Sequence, residues 1–312
     1  MQVFRGIPRR SLEASVLTIG NFDGVHLGHQ ALLRMLVSKA RGLGLPAVVL
    51  TFEPHPREYF TPSAAPARLA SLREKLLLLT AAGVDRVYVC RFDARLAAVS
   101  AEAFIDELLV AGLGVRHLII GDDFRFGSRR RGDFELLTEV GARRGFAVEA
   151  MPTLEQDTLR VSSSAVRAAL AQGDLAQAAR LLGRPYSIAG RVVSGRKLGR
   201  TIGFPTANIP LRHRRPPLTG VFAVSVEGLA GTQVAGVANV GVRPTVADSL
   251  RANLEVHLFD WAADCYGAHL RVHFQHKLRD EMRFESLSLL TEQIARDAEA
   301  ARTWFAHHPI PN

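Results

Sequence analysis

The first half of the chain alternates short apolar runs with longer stretches in which apolar residues recur every three or four positions. The short runs predict β-strands, and the longer stretches predict amphipathic helices that cover a parallel sheet on both faces. The predicted strands cover residues 16–19, 47–52, 86–92, 117–120 and 147–151. The predicted helices cover residues 30–42, 72–82, 101–111, 134–145, 164–172 and 175–182. We therefore predict a doubly wound α/β unit that binds ligands at the carboxyl ends of its strands.

The pattern changes after Gly183-Arg184-Pro185, which breaks the last helix. Short alternating runs follow, separated by turns rich in glycine and proline, and they predict an antiparallel β-barrel. The predicted strands cover residues 187–193, 221–227, 233–239, 254–259 and 270–276. An amphipathic helix is predicted over residues 286–305. We therefore expect two domains, an N-terminal parallel-sheet domain over residues 1–183 and a C-terminal barrel domain over residues 184–312.

Composition excludes several classes of protein. No run approaches the roughly 18 apolar residues of a membrane span, and the N-terminus lacks the apolar region of a secretory signal. Two cysteines, Cys90 and Cys265, are too few for a disulfide framework or a thiolate metal site. We expect a cytoplasmic protein. The net charge of +9 permits binding of nucleic acid or of small anions. The basic cluster at 129–131 lacks interleaved aromatics, and the cluster at 212–215 precedes two prolines in a predicted loop. We interpret both first as solvated loop charge and second as attraction for phosphate.

One strand-to-helix junction combines several phosphate-binding features. The segment Thr-Ile-Gly-Asn-Phe-Asp-Gly-Val-His-Leu-Gly-His-Gln, residues 18–30, follows the first predicted strand. A helix N-terminus offers free N–H groups and a partial positive charge, and glycines let the backbone approach a ligand closely. His26 and His29, three positions apart, can present both imidazoles to one phosphate. The pair around Gly28 resembles the HxGH signature of nucleotidyltransferases, which attack the α-phosphate of ATP.

Two segments that follow later strands carry aromatic and acidic side chains. Residues 51–56 read Thr-Phe-Glu-Pro-His-Pro, and residues 121–127 read Gly-Asp-Asp-Phe-Arg-Phe-Gly. Phe124 and Phe126 can stack on a flat ring while Asp123 hydrogen-bonds to its edge. The alternative is a turn with two core phenylalanines, which these residues alone predict almost equally well.

A third segment, residues 160–167, begins a helix with three hydroxyl side chains between arginines. Ser163 or Ser164 is an N-cap on the simplest interpretation. Arg167, one turn into the helix, can also reach a triphosphate or a leaving pyrophosphate.

These four segments make the first half similar to the FMN adenylyltransferase module of prokaryotic bifunctional riboflavin kinases/FAD synthetases. The family motifs are GNFDGVHxGH, FxPHP, a GxDFxFG-like and an ISSTxxR-like segment. Glu53 stands where aspartate is common, and Ser164 stands where the family has threonine. The resemblance implies in-line attack of the FMN phosphate on the α-phosphate of ATP, without a covalent enzyme intermediate. His26 and His29 would stabilise charge on the transferring group, and Mg²⁺ would accompany the pyrophosphate.

The same resemblance implies two sets of binding residues in this half. The ATP-binding set is Gly20, Phe22, Asp23, Gly24, Gly28, Arg160, Ser163, Ser164 and Arg167. The flavin-binding set is Phe52, Pro56, Asp123, Phe124 and Phe126.

A second dense site lies in the second half, at residues 195–208. Three glycines and three cations within nine residues suit a phosphate-wrapping loop, although no GKS or GKT follows as in a Walker loop. Thr206 and Asn208 offer hard oxygen ligands at alternate positions, so both can face one Mg²⁺. A basic hairpin turn explains the cations equally well but explains Pro-Thr-Ala-Asn poorly.

Glu255 lies within a predicted strand, on one face with Asn253 and His257. Such a carboxylate faces solvent about as often as it serves a site. Close to ATP and an alcohol, it becomes a general-base candidate.

This half is similar to the riboflavin kinase module of the same family. The matches in order are Pro-Thr-Ala-Asn, residues 239–245, the strand of Glu255, and residues 264–267, where Cys265 replaces the usual leucine. The resemblance implies that Thr206 and Asn208 bind Mg·ATP and that Glu255 deprotonates the terminal ribityl hydroxyl of riboflavin. The implied ATP-binding set is Gly195, Lys197, Gly199, Arg200, Gly203, Pro205, Thr206 and Asn208.

We therefore predict a bifunctional enzyme that phosphorylates riboflavin to FMN and then adenylylates FMN to FAD. Its expected partners are ATP, riboflavin and FMN, with no nucleic acid and no membrane. One alternative is a chain with a single working activity. Another is a flavin- or nucleic-acid-binding regulator on an inactive enzyme scaffold, which the +9 charge favours mildly. The joint presence of His26, His29, Thr206, Asn208 and Glu255 opposes both alternatives.

Overall fold

The computed structural model describes residues 1–156, 159–195, 198–211, 215–229, 231–244 and 250–310. The chain forms two compact units. They comprise Met1–Pro66 with Ala70–Ser162, and Ala67–Leu69 with Ser163–Asn312. A compact unit is not by itself a functional domain, so the predicted boundary between residues 183 and 184 stays a prediction.

The first unit contains a six-stranded parallel sheet in the order β1-β4-β3-β2-β5-β6, which confirms the predicted architecture. The strands of this sheet are β1 (Gln2–Arg5), β2 (Ser15–Ile19), β3 (Ala47–Glu53), β4 (Arg86–Arg91), β5 (Val115–Gly121) and β6 (Ala147–Met151). Two short strands, β7 (Glu155–Gln156) and β8 (Leu159–Arg160), pair with each other as a separate two-stranded sheet. The helices of this unit are α1 (Leu27–Leu43), α2 (Pro56–Phe60), α3 (Leu72–Ala81), α4 (Ala94–Ala97), α5 (Ala101–Ala103) with its π-helical continuation (Phe104–Gly112), a 3₁₀ turn (Ser128–Arg130) and α6 (Phe134–Arg144). The edge strand β1 was not predicted, because all four of its residues are exposed.

Both faces of this sheet are buried, because successive side chains of a strand point to opposite faces. Leu17 of β2 packs with Phe104 and Leu137 on one side, which we call the α5 face. Val16 packs with Leu33 of α1 on the other side, the α1 face. The two faces meet at the carboxyl edge of the sheet, where the predicted phosphate-binding loop leaves β2.

The second unit is a six-stranded antiparallel sheet in the order β10-β13-β12-β11-β14-β9. Its strands are β9 (Ser187–Arg191), β10 (Ala207–Pro210), β11 (Gly220–Leu229), β12 (Thr232–Pro244), β13 (Leu250–Leu258) and β14 (His269–Arg279). Its helices are α7 (Ser163–Gln172), α8 (Leu175–Leu182), α9 (Leu198–Thr201) and α10 (Leu287–His307). The N–H of Val193 donates to the carbonyl of Asn208 at 2.9 Å and joins the two edge strands, which confirms the predicted barrel.

The terminal helix α10 is held on this barrel by apolar packing and by one buried ion pair. Ala298 and Ala301 pack against Val221. Arg279 of β14 donates from Nε to Oδ1 of Asp297 at 2.8 Å and from Nη2 to Oδ2 at 2.6 Å. The Asp297 side chain is only 7% exposed, so its charge depends on this guanidinium. The pair therefore fixes the helix position.

We predict that Asp297→Asn lowers the free energy of unfolding of the barrel unit by about 3 kcal/mol, because the Arg279 charge loses its buried counterion. Urea unfolding followed by tryptophan fluorescence measures this unit selectively, since the two tryptophans of the chain, Trp261 and Trp304, both belong to it. Glu292→Gln removes an exposed partner, 3.8 Å from Arg296, and is the control. It should cost less than about 1 kcal/mol. Equal losses in the two variants would contradict a structural role for the buried pair.

Candidate active sites

His26 begins helix α1 and positions its neighbour. Its Nδ1 accepts a hydrogen bond from the backbone N–H of His29 at 3.3 Å, so the imidazole serves as N-cap. The helix therefore begins at Leu27, and the predicted start at Gln30 was wrong. Histidine is an uncommon N-cap residue, so the sequence did not indicate that a helix begins directly after His26. The two imidazole rings stack with centroids 3.7 Å apart at 20°, which confirms that they lie together.

His29 is half-buried and electrostatically unusual. Its Nδ1 is buried and has no hydrogen-bond partner within the described part of the chain. Burial, together with the positive charges of His26 and Lys75, holds the pKa of His29 well below its usual value. The unliganded site therefore presents a neutral imidazole. An incoming phosphate would supply the negative charge that the histidine pair lacks.

The loop before α1 is shaped by buried residues and strained backbone. Phe22 is fully buried with φ 48°, and its ring lies 5.0 Å from that of His29. Asp23 is also buried, and its Oδ1 accepts a hydrogen bond from the N–H of Ala70 at 3.1 Å. Gly24 has φ 81°. These side chains support the loop, which leaves its backbone to face a ligand.

Glycines allow the loop to close tightly around these rings. A Cβ on Gly20 would lie 3.1 Å from the Phe22 ring, and one on Gly28 would lie 3.2 Å from the His26 ring. Both contacts are tighter than most Cβ contacts, so a side chain at either position would force the neighbouring ring to shift.

Lys75 is a residue of this site that sequence reasoning missed. Its side chain lies on α3, is 1% exposed, and donates from Nζ to Oγ1 of Thr51 at 3.4 Å. Buried ammonium groups are rare unless they serve a partner or a site. No local signal marks Lys75, because the lysine falls within an ordinary amphipathic helix pattern.

A cluster of aromatic residues lies beyond the carboxyl ends of β3 and β4. Phe92 contacts Phe52, Tyr59 and Phe60 with ring centroids 5.5 to 5.9 Å apart. Tyr59 is 40% exposed and Phe60 is 62% exposed. Of this cluster only Phe52 was predicted. Pro56 begins α2, the short helix that carries Tyr59 and Phe60.

The aromatic segment after β5 is divided between core and surface. Phe126 is buried and packs against Phe104 at 5.2 Å, as the core interpretation expects. Phe124 is half-buried and stacks on Phe126 at 5.7 Å and 15°. Asp123 is exposed and pairs with Arg160. Phe124 is therefore the accessible ring of the pair.

The remaining predicted ATP-binding residues of this half lie on α7, in the second unit. Ser163 is the first residue of α7. Arg167 donates from Nε to the carbonyl of Ala67 at 2.6 Å. The roles of Ser163, Ser164 and Arg167 at ATP stay predictions.

In the barrel, strand register sets polar residues side by side. Asn208 of β10 pairs with Glu255 of β13, and Glu255 pairs with Asn239 of β12. The amide of Asn253 donates to Oε1 of Glu255 at 3.0 Å and to Oδ1 of Asn208 at 3.3 Å. The predicted shared face of Asn253, Glu255 and His257 fits these contacts. The structure therefore brings Asn208 and Glu255 into one hydrogen-bonded group.

This polar group opens into a cavity of about 570 Å³, a size suited to a small molecule. Thr206, Asn239, Glu255 and Arg279 supply polar groups to its lining. The apolar part of the lining includes Phe204, Val221, Val237, Phe284, Leu290 and Ile294. The cavity thus combines apolar walls with a polar side on which four carboxylates lie, those of Glu255, Glu281, Glu285 and Asp297.

The glycine-rich segment packs closely beside this cavity. A Cβ on Gly195 would lie 2.7 Å from the Asn208 amide, and one on Gly199 would lie 2.3 Å from the Phe204 carbonyl. Gly203 has φ 86°, and the carbonyl of Pro205 lies 2.9 Å from Nδ1 of His257. Arg200 lies on α9. Lys197 lies outside the described residues.

The barrel site offers oxygen ligands of the kind that Mg²⁺ prefers. The Thr206 hydroxyl, the Asn208 amide oxygen and the Glu255 carboxylate are hard donors on neighbouring positions. Among the described residues, no three His, Cys, Asp or Glu side chains form a metal cluster. The donor set therefore fits an ion whose remaining ligands are substrate phosphates and water.

Comparison with known families divides the chain in the same order. The FAD synthetase family model matches residues 9–165, and the riboflavin kinase family model matches residues 182–305. Within the described ranges, no helix has the length and apolarity to cross a bilayer.

Curated relatives are similar over nearly the whole chain. Bifunctional riboflavin kinase/FMN adenylyltransferases from Pseudomonas fluorescens and Escherichia coli (strain K12) are 54% and 53% identical over 308 residues, or 98% of each chain. The protein of the same name from Haemophilus influenzae is 50% identical, over 98% of this chain and 99% of its own. A solved Streptococcus pneumoniae structure, described as a macrolide-efflux protein, is 31% identical with a TM-score of 0.80. It covers 97% of this chain and all of its own, and we take from it the shared fold alone.

We predict that His29 titrates well below pH 6.5 in the free protein, because burial and two nearby cations oppose its protonation. The unfolded chain then binds a proton that the folded chain rejects, so stability should decrease as pH falls below about 6.5. NMR titration of labelled imidazoles measures the midpoint. Lys75→Met should raise it, whereas Lys39→Met, which removes a lysine paired with Glu149, should leave it unchanged. An unshifted midpoint for His29 would contradict the assignment.

Proposed function

The chain belongs to the bifunctional riboflavin kinase/FMN adenylyltransferase family, and we propose that its two sites act in sequence through the residues described above. The riboflavin kinase domain is C-terminal, and the FAD synthetase domain is N-terminal. Riboflavin becomes FMN in the barrel, and FMN becomes FAD at the histidine loop. The hydrogen-bonded register of Asn208 and Glu255 beside the cavity is the observation that carries this assignment.

In the kinase reaction, Glu255 is the general base. It accepts the proton of the terminal ribityl hydroxyl as that oxygen attacks the γ-phosphorus of ATP and ADP leaves. Asn253 supports this role, since its amide donates to Oε1 of Glu255 and orients the carboxylate, which lines the cavity. The apolar walls fit the isoalloxazine ring.

Thr206 and Asn208 hold Mg²⁺ with the ATP phosphates. When bound, the ion neutralises charge that develops on the transferred phosphoryl group. Gly195, Gly199, Gly203 and Pro205 shape the loop around the nucleotide, and the predicted roles of Lys197 and Arg200 belong to the same proposal.

In the adenylyl transfer, a phosphate oxygen of FMN attacks the α-phosphorus of ATP while the bond to pyrophosphate breaks. His26 and His29 stabilise the charge on the α-phosphate. The partial positive charge at the start of α1 adds to this effect. The lowered pKa of His29 supports the proposal, since a bound phosphate would supply the negative charge that favours the protonated imidazole.

The flavin ring of the acceptor stacks on half-buried aromatic residues. Phe124 rests on the buried Phe126, and Phe52 lies in the cluster with Phe60. Both groups follow strands at the carboxyl edge of the sheet, where ligands of such folds bind. Asp123 and Pro56 complete the proposed flavin set.

Three broader expectations belong to the same proposal. The functional domains cover residues 1–183 and 184–312, the protein is cytoplasmic, and it binds no nucleic acid. The two family-model matches, over residues 9–165 and 182–305, support a boundary between the two functional domains near residue 183. Nucleic-acid binding would appear in a filter assay as retention that falls steeply with salt.

We predict that the wild-type enzyme forms FAD from riboflavin, ATP and Mg²⁺, that His29→Ala stops at FMN, and that Glu255→Ala forms neither product. Each loss should be about a hundredfold or more, because a transition-state contact is removed. Chromatography of the products measures all three outcomes.

Glu255→Ala should still convert supplied FMN to FAD, which separates the two sites. Glu227→Gln is the control, since that carboxylate pairs with Gln233 and His273 and does not line the cavity. Normal FAD formation by His29→Ala would refute the assignment of the first site.

A further inference from the structure

The segment after β5 forms a hairpin whose arms are fixed by packing. Phe126 and Gly132 form an antiparallel bridge, and a Cβ on Gly132 would lie 2.5 Å from the Phe126 ring. The N–H of Ser128 donates to the carbonyl of Val99 at 2.7 Å. Packing of both arms therefore determines where the tip, residues 127–131, projects.

The tip carries two consecutive arginines in left-handed backbone conformation. Arg129 has φ 55° and Arg130 has φ 57°. Any residue with a Cβ pays energy for this conformation, whereas glycine adopts it freely. Both side chains are exposed, and neither guanidinium group makes an ion pair or hydrogen bond with the residues that the structure describes. Because the two arginines keep a strained backbone without binding another part of the described chain, we infer that their side chains bind a ligand.

The hairpin lies beside the histidine loop at the same edge of the sheet. Strands β2 and β5 are hydrogen-bonded neighbours in parallel register, Thr18 opposite Ile119. Their carboxyl ends are therefore one strand spacing apart, about 5 Å. The loop to His26 leaves one strand and the hairpin leaves the other.

The hairpin also lies on the acceptor side of that edge. Phe126 of the hairpin packs in the core of the α5 face, where Phe52 and Phe124 of the proposed flavin set also pack. Phe22 and Val25 of the histidine loop pack instead on the α1 face. The flavin residues and the phosphate loop thus approach the edge from opposite faces.

We propose that Arg129 and Arg130 bind the 5′-phosphate of the acceptor FMN. In-line displacement requires the attacking phosphate oxygen and the departing pyrophosphate to lie on opposite sides of the α-phosphorus. Cations on the acceptor side therefore contact the attacking phosphate rather than the leaving group. The bond formed joins an FMN phosphate oxygen to the α-phosphorus, and the bond broken releases pyrophosphate.

This inference rests on the proposed adenylyltransferase function, and it explains how that site would distinguish FMN from riboflavin. Riboflavin has no phosphate for the two guanidinium groups to bind, whereas FMN presents a dianion. The pair would thus select the product of the kinase reaction over its substrate.

Glycine substitutions test the proposal without damaging the fold. Arg129→Gly and Arg130→Gly each remove a cation and also relieve the left-handed strain, so the melting temperature should stay equal or rise. With FMN and ATP supplied, each variant should raise the KM for FMN about tenfold, the effect of losing one charge-assisted hydrogen bond. The KM for ATP should stay within about twofold, and riboflavin phosphorylation should be normal.

Arg131→Ala is the matched control. It removes the same charge from the same tip, but its φ of −74° is ordinary and its charge interacts with Glu102. It should leave the KM for FMN unchanged.

Two results would overturn the proposal: an unchanged KM for FMN in the double variant Arg129→Gly/Arg130→Gly, or an equal rise in the KM for ATP. A wild-type enzyme that makes no FAD from FMN and ATP would instead refute the proposed function itself, so the two failures are distinguishable.

Discussion

The hydrogen bond from the His29 backbone to Nδ1 of His26 is the interaction on which the first site depends. It begins helix α1, stacks the two imidazoles, and commits one nitrogen of His26 to the backbone. The other nitrogen is then the one that can face a ligand. Because the cap and the phosphate ligand are the same side chain, the position of the helix N-terminus and the chemistry of the site are set together.

Strand register plays the corresponding part in the barrel. Asn208, Glu255 and Asn239 stand opposite one another on three adjacent strands, and the amide of Asn253 ties two of them together. A shift of one residue in any strand would turn its side chain to the other face of the sheet. Correct strand register therefore places these polar side chains together. The bridge between Val193 and Asn208, which closes the barrel, helps to fix that register.

Sequence patterns predicted what depends on neighbours along the chain and missed what depends on distant packing. Most strands of both sheets follow from periodicity, although the edge strands β1 and β10 were not predicted, and His26, His29 and Glu255 stand in recognisable local motifs. Lys75 was missed because only tertiary packing buries it beside Thr51. The aromatic cluster around Phe92 was missed for a similar reason, since it gathers residues from two separate strand ends. Burial of Phe126 was left undecided, because a stacking ring and a core ring share one pattern.

The two sites recognise successive forms of one flavin by different physics. Apolar walls suit the flat ring of the uncharged riboflavin, and most of the charged groups beside them in the barrel cavity are carboxylates. The first unit instead surrounds its carboxyl edge with imidazoles, helix N–H groups and exposed arginines, all of which favour an anion. On the proposed assignment, the phosphate that the barrel adds is the group that these cations bind. The charge gained in the first reaction then decides which site holds the flavin next, so the order of the two steps follows from electrostatics.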